Sequence, residues 1–257
     1  MRATAHQHAA LTRAGPHLQH PEECHRKALL GFAAFTTLYA VAEPTLRPIR
    51  RDGEEPAVFD PVEELIRAMK LGRSATAFVR NKLASQPWSD SMVVSKFSPI
   101  SHETVENLEL QFPQLSQLQD LVERHCETQQ KQACLHAIET LFTSIAFLTD
   151  NAGDPQQMRL IWGWGNEVDA VFLDMCSARH PVALVILAHY GVLMNLKVGL
   201  WHLRSWPAAL LKHIDTILDE EWREELRWPA QMITAASSSP SSIVSSLPST
   251  DSNRTLV

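Results

Sequence analysis

Residues 181–196, PVALVILAHYGVLMNL, are apolar on every side of a helix, and only His189, Tyr190 and Asn195 interrupt the run. Pro181 suits the first position of a helix, where its missing N–H group is not needed. A helix that is apolar all round belongs in the middle of a fold. The run is too short for a bilayer, which needs about 20 apolar residues. The stretch therefore predicts a buried central helix over about 181–197 and no membrane span.

The remainder of the chain shows helical rather than strand periodicity. One strong stripe of apolar side chains at helical spacing consists of Cys134, Ile138, Leu141, Ile145 and Leu148. Polar or serine-rich composition at both ends is typical of segments that cannot build a core. The sequence predicts an all-α, irregular multi-helix domain over 21–233, with a disordered leader over 1–20 and a serine-rich disordered tail over 234–257.

Composition limits the classes of function. The chain has 257 residues, of which 45% are hydrophobic, so a sizeable core is available. The formal net charge of -6 is unlike that of a free-standing nucleic-acid binder, which usually carries a basic patch. The cysteines at 24, 126, 134 and 176 are scattered, and the first twenty residues hold no apolar segment of a secretory signal. We therefore expect a protein of a reducing compartment inside the cell.

Aromatic and polar residues follow one another in a particular order around the apolar stretch. The order comprises His189 and Tyr190 in ILAHY, Trp201 and Trp206 in LWHLRSWP, and Trp228 and Pro229 in RWP. This pattern resembles the C-terminal end of fungal binuclear zinc-cluster transcription factors, and within that family the sterol uptake control proteins. The resemblance covers about fifty positions. The paired Cys-x-x-Cys repeats of that family's DNA-binding segment do not occur in the chain.

The resemblance implies a nuclear or nucleocytoplasmic regulator of transcription that controls a metabolic gene set. The chain would correspond to the effector domain and would not contact DNA directly. It would sense a sterol-like or other lipophilic small molecule, or a partner protein. A homodimer, or a heterodimer with a complete zinc-cluster factor, is the expected assembly. His189, Tyr190, Trp201 and Trp206 are the candidate residues of the ligand pocket, and no cofactor is expected.

A second cluster in the sequence has the residue types of a zinc site but not the spacing. His125, Cys126, Cys134 and His136 carry nitrogen and sulfur ligands. On a continuous helix, Cys126 and Cys134 would lie about 12 Å apart. Zinc ligands must all lie within about 2.3 Å of the ion. Only a break in the helix would bring these residues together, so the sequence predicts no metal site.

Two other interpretations of the candidate pocket remain open. His189 and Tyr190 either serve chemistry in an apolar pocket or are hydrogen-bonded core residues, and neighbours on a helix do not face each other. The tryptophans either line a pocket for a flat ligand or bury area in the core. The chain could also be a cofactor-free cyclase or isomerase acting on a hydrophobic metabolite. A third possibility is an accessory protein that heterodimerises with a complete transcription factor.

Overall fold

A computed structural model describes residues 2–19, 26–46, 59–82, 102–150, 157–196 and 200–238. Within these ranges the chain forms eleven α-helices and no strand, so the all-α prediction is confirmed. The helices are α1 (Arg2–Gln19), α2 (Arg26–Leu46), α3 (Pro61–Lys82), α4 (His102–Gln111), α5 (Pro113–His125), α6 (Thr128–Asp150), α7 (Gln157–Glu167), α8 (Ala170–Ser177), α9 (Pro181–Asn195), α10 (Trp206–Ile217) and α11 (Arg227–Ser238).

The chain divides into two compact units, Met1–Lys96 and Phe97–Val257. This differs from the single helical domain predicted over 21–233. In the first unit, α2 packs along α3, and Asp60 caps α3 by accepting a hydrogen bond from the Glu63 N–H at 3.0 Å. The predicted leader also differs from the structure, because residues 2–19 form α1. Its alanines are strong helix formers, and a polar composition does not prevent a helix from forming.

The second unit is built around α9, as the sequence predicts. Every residue from Val182 to Met194 is buried. Helices α5, α6, α8, α10 and α11 all contact α9. The predicted stripe on α6 is buried as well, from Cys134 to Leu148. An apolar helix thus finds apolar partners on each side, which is the arrangement its composition requires.

A sharp corner joins α8 to α9. The His180 N–H donates to the Met175 carbonyl and the Arg179 N–H to the Cys176 carbonyl, the two hydrogen bonds of a Schellman helix end. Arg179 has a φ of 60°, a left-handed conformation that glycine usually occupies at this position. The two helices meet at 103°. They are also the one pair whose combined length and composition would suit a bent span, whereas no single helix in the described ranges could cross a membrane.

Two breaks divide segments that helical periodicity alone would join. Cys126 and Glu127 separate α5 from α6. Val168 and Asp169 separate α7 from α8, where the sequence predicts one continuous helix. Asp169 begins α8 because its carboxylate accepts a hydrogen bond from the Val171 N–H at 2.8 Å.

The C-terminal part of the second unit turns back onto α9. Two short 3-10 turns, Glu220–Trp222 and Glu224–Leu226, lead into α11. Helix α11 reaches Ser238, five residues into the range predicted as a tail, and residues 239–257 lie outside the described part. Its Trp228 and Ile233 side chains face α9, which places α11 beside the candidate site.

Candidate functional site

A cavity of about 410 Å³ opens between α5, α9, the second 3-10 turn and α11. This volume lies in the range of small-molecule sites. Its lining residues are Gln114, Gln117, Leu118, Asp120, Arg124, His189, Glu224, Glu225, Arg227, Trp228 and Gln231. All of them belong to the second unit, so one compact body forms the whole cavity.

His189 and Trp228 form an aromatic wall of the cavity. Their rings stack at a centroid distance of 5.3 Å and an angle of 19°. Phe142 of α6 backs both rings, at 6.4 Å from His189 and 6.1 Å from Trp228. The two residues come from the ILAHY and RWP segments, which the sequence pattern had placed in one motif. A planar ligand group could extend this stack.

The hydrogen bonding of His189 fixes what its ring offers to the cavity. Nδ1 lies 2.9 Å from the Val185 carbonyl oxygen, one helical turn back. A carbonyl can only accept, so Nδ1 carries the proton and Nε2 is the acceptor in the neutral ring. Burial lowers the pKa of His189 from 6.5 to about 4, and the hydrogen bond to Val185 opposes this only in part. The imidazole is therefore neutral at pH 7, and its unprotonated Nε2 is a hydrogen-bond acceptor.

Two contacts join α11 to α9. Ile233 packs beside Gly191, where an added Cβ would lie at an ordinary contact distance of 3.4 Å from Ile233 Cδ1. One turn further, the Asn195 side-chain amide donates to the Met232 carbonyl at 3.2 Å. The interruptions in the apolar stretch thus mark the points where α9 meets its neighbours through polar or backbone atoms.

The rest of the lining is mainly polar, and it carries both signs of charge. The charged lining residues are Asp120, Glu224 and Glu225 with Arg124 and Arg227. Arg227 and Glu224 form an exposed ion pair at 2.7 Å, which solvent screens strongly. This lining differs from the apolar pocket expected for a sterol. It suits a ligand with a flat group that stacks on Trp228 and polar groups that bind the glutamine amides and the charged side chains of the lining.

The other three predicted pocket residues do not line this cavity. Tyr190 is buried, stacks on Trp164 at 4.3 Å and donates its hydroxyl to the Ile161 carbonyl at 2.9 Å. Trp206 begins α10 and is 1% exposed. Trp201 lies in the turn before α10, is 61% exposed and meets His202 edge-on at 5.4 Å. Tyr190 and Trp206 therefore contribute to the core, and Trp201 lies on the surface.

The lining residues of α5 and of the 3-10 turn have no counterpart among the sequence predictions. Gln114, Gln117, Asp120 and Arg124 recur at helical spacing on the polar face of α5. A polar helix face usually meets solvent, so the sequence gives no reason to assign it to a site. Trp228 did carry a signal, because it belongs to the same family-like pattern as His189.

The helix break between α5 and α6 falls among the candidate zinc residues, after His125 and before Cys134 and His136. Cys126 lies in that break and is half-buried, whereas Cys134 is buried on α6. Burial raises the pKa of both thiols. In the described ranges, however, no three or more His, Cys, Asp or Glu side chains are grouped so that they could hold a metal ion.

Comparison with known proteins gives no match: no protein-family model, curated protein or solved structure is similar to this chain. The chemistry of the cavity is thus the main guide to function. A His189 with a pKa near 4 is a weak base at neutral pH, since general bases work best near the operating pH. The same neutral ring is a good hydrogen-bond acceptor for a bound molecule.

Proposed function

We propose that the chain is a small-molecule-sensing regulatory domain, related in kind to the effector domains of fungal zinc-cluster transcription factors. The observation that supports the proposal most directly is the stack of His189 on Trp228 in the wall of the cavity. These residues lie at opposite ends of the sequence pattern that resembles the family. Their meeting at one cavity gives the pattern a common physical role.

The ligand we propose is a neutral molecule with a flat ring system and at least one hydroxyl or N–H group. Trp228 would stack on the ring, and His189 Nε2 would accept the hydrogen bond. The carboxylates and arginines at the opening nearly balance in charge, which favours a neutral ligand over an ion. Gln114, Gln117 and Gln231 would bind further polar groups.

The regulatory step we propose is a shift in how α11 packs on α9. The ligand would contact α5, α9 and α11 together, so it would bind more tightly when α11 is docked. A ligand moves such an equilibrium only by its difference in affinity for the two states. The docked form would then present a different surface to a homodimer partner or to a complete zinc-cluster factor.

A binding screen tests the first part. Purified protein is titrated with flat, hydroxyl-bearing compounds, sterols included, and intrinsic tryptophan fluorescence is followed. Trp228→Ala should weaken binding of any hit by about tenfold or more, since stacking on an aromatic is worth about 1–3 kcal/mol. Trp201→Ala is the matched control, because Trp201 is exposed and outside the cavity. Equal effects of the two variants would count against the assigned cavity.

A reporter assay tests the second part. The chain is fused to an unrelated DNA-binding domain, and reporter expression is measured with and without a ligand found in the screen. We expect a ligand-dependent change that Trp228→Ala removes and Trp201→Ala keeps. Binding without any change in expression would leave a ligand-binding domain and reject the regulatory role. Turnover of the ligand by the purified protein would favour the enzyme hypothesis instead.

A further inference from the structure

Helix α2 carries a long uncharged surface in the first unit. Residues 28–42 include no Asp, Glu, Lys, Arg or His. The two threonines of this run, Thr36 and Thr37, donate their hydroxyls to the carbonyls of Phe32 and Ala33, one turn back, at 2.8 and 3.0 Å. Because these hydroxyls bond within the helix itself, the surface of this part of α2 is mainly apolar.

Part of this apolar surface is covered and part of it is open. Leu29, Val41 and Ala42 are at most 4% exposed, and α3 packs along α2. Phe35, by contrast, is 73% exposed. The surface beside Gly31 is open as well: apart from neighbours in α2, the described residues place no atom within 4 Å of the position that a Cβ would take there. A partner that covers this open part would remove a phenylalanine ring from water.

The open positions form a stripe at the spacing of a coiled coil. Ala28, Gly31, Phe35 and Leu38 follow one another at intervals of three, four and three residues, so they lie on one side of the helix. Ala28 is exposed, and Gly31 and Leu38 are partly exposed. A stripe with this spacing is the surface by which one helix packs along another. The occupant that fits the stripe is therefore a second helix.

The order of side-chain sizes along the stripe identifies that helix. Two small residues, Ala28 and Gly31, precede two large ones, Phe35 and Leu38. If two copies of the stripe lie antiparallel about a two-fold axis, Phe35 of each copy faces Gly31 of the other, and Leu38 faces Ala28. Large side chains then fill the space beside small ones throughout, as close packing requires. We propose that the chain forms a homodimer by antiparallel pairing of α2 with α2 of a second copy.

The opposite orientation fits the stripe less well. In a parallel pair, Gly31 would face Gly31 and leave a gap, whereas Phe35 would face Phe35 and force the helices apart. The absence of charged residues over 28–42 means that the antiparallel pair brings no like charges together along this run. An interface that uses the same surface of both copies closes on itself, so it yields a dimer and not a filament. This inference does not depend on the ligand proposed for the second unit.

Sedimentation equilibrium of the full chain tests the dimer. We expect a concentration-dependent equilibrium between monomer and dimer. Phe35→Lys should raise the dissociation constant by about 100-fold or more, because two rings lose their burial and two charges enter the interface. This variant should stay folded in circular dichroism, since Phe35 is exposed in the monomer. Leu110→Lys is the matched control, because Leu110 is 85% exposed on α4 of the other unit, and it should dimerise as the wild type does.

Cysteine crosslinking tests the orientation, in chains that carry Cys24→Ser and Cys126→Ser. Under mild oxidation, a mixture of Ala28→Cys chains and affinity-tagged Leu38→Cys chains should give a covalent dimer of the two kinds of chain. Either variant alone should remain uncrosslinked. A chain that is monomeric at every concentration, a dimer that Phe35→Lys does not weaken, or crosslinking of Ala28→Cys chains with each other would each overturn the antiparallel pair.

Discussion

His189 lies where the buried helix meets the cavity, and its two bonding partners give it a fixed role. Val185 holds its proton on Nδ1, and Trp228 covers one face of the ring. Burial makes the neutral imidazole the stable form, although the hydrogen bond to Val185 raises the pKa in part. His189 is therefore better suited to accept a hydrogen bond than to carry a proton through a reaction.

The low pKa of His189 makes folding stability depend on pH. The pKa is about 4 in the folded protein and 6.5 as the ordinary value, so the unfolded chain binds the proton more readily between them. The free energy of unfolding should fall as pH drops from about 6.5 to 4, by up to about 3 kcal/mol from this residue. Urea unfolding of wild type and His189→Gln across this range measures the effect. Parallel curves for the two proteins would contradict it.

A substitution at Tyr190 tests whether this residue belongs to the core or to the cavity. Tyr190→Phe keeps the stack on Trp164 but removes the hydrogen bond to the Ile161 carbonyl. We expect a loss of about 0.5–1.5 kcal/mol in stability, the usual net value of such a bond. Ligand affinity should stay unchanged, because Tyr190 does not line the cavity. A selective loss of affinity would return Tyr190 to the site.

The sequence could identify His189 but could not separate it from Tyr190. Consecutive residues of a helix point about 100° apart. On a helix that is buried all round, every face packs against another element, and composition does not show which face borders a cavity. Here His189 points towards α11 and Tyr190 towards α7. Trp201 lies in a turn, where no periodicity indicates its side-chain direction.

At the scale of elements, helix starts decide where the chain changes direction. Asp60 followed by Pro61 has the residue types of a helix start, and α3 begins there, with Asp60 accepting from the Glu63 N–H. Asp169 gave no comparable signal because apolar residues continue on both sides of it. The 3-10 turns before α11 are too short to leave any period, so that wall of the cavity could not be predicted.

Asp169 should stabilise the start of α8 through its side chain. Asp169→Ala removes the acceptor for the Val171 N–H, and the loss of such a cap costs about 0.5–2 kcal/mol. Asp169→Asn is the matched control, because asparagine caps about as well. Thermal and urea unfolding of both variants measure the difference. Equal destabilisation would show that charge, and not capping, is the source of the effect.

At the scale of the molecule, the division into two units sets what can be studied separately. The whole cavity lies within Phe97–Val257. We expect the fragment 97–257 to fold alone, with cooperative unfolding and a helical circular dichroism spectrum. It should bind the same ligand as the full chain with similar affinity. A fragment that stays unfolded would show that the first unit is required for folding.

The all-round burial of α9 also has a consequence for synthesis on the ribosome. Helix α9 ends at Asn195, whereas α10 and α11, which cover part of its surface, end at Ile217 and Ser238. At about 5–20 residues per second, the nascent chain carries an incompletely covered apolar helix for a time on the order of seconds. Ribosome-associated chaperones that bind apolar segments should therefore engage this chain late in translation, and a stop codon before α11 should make it a substrate for degradation.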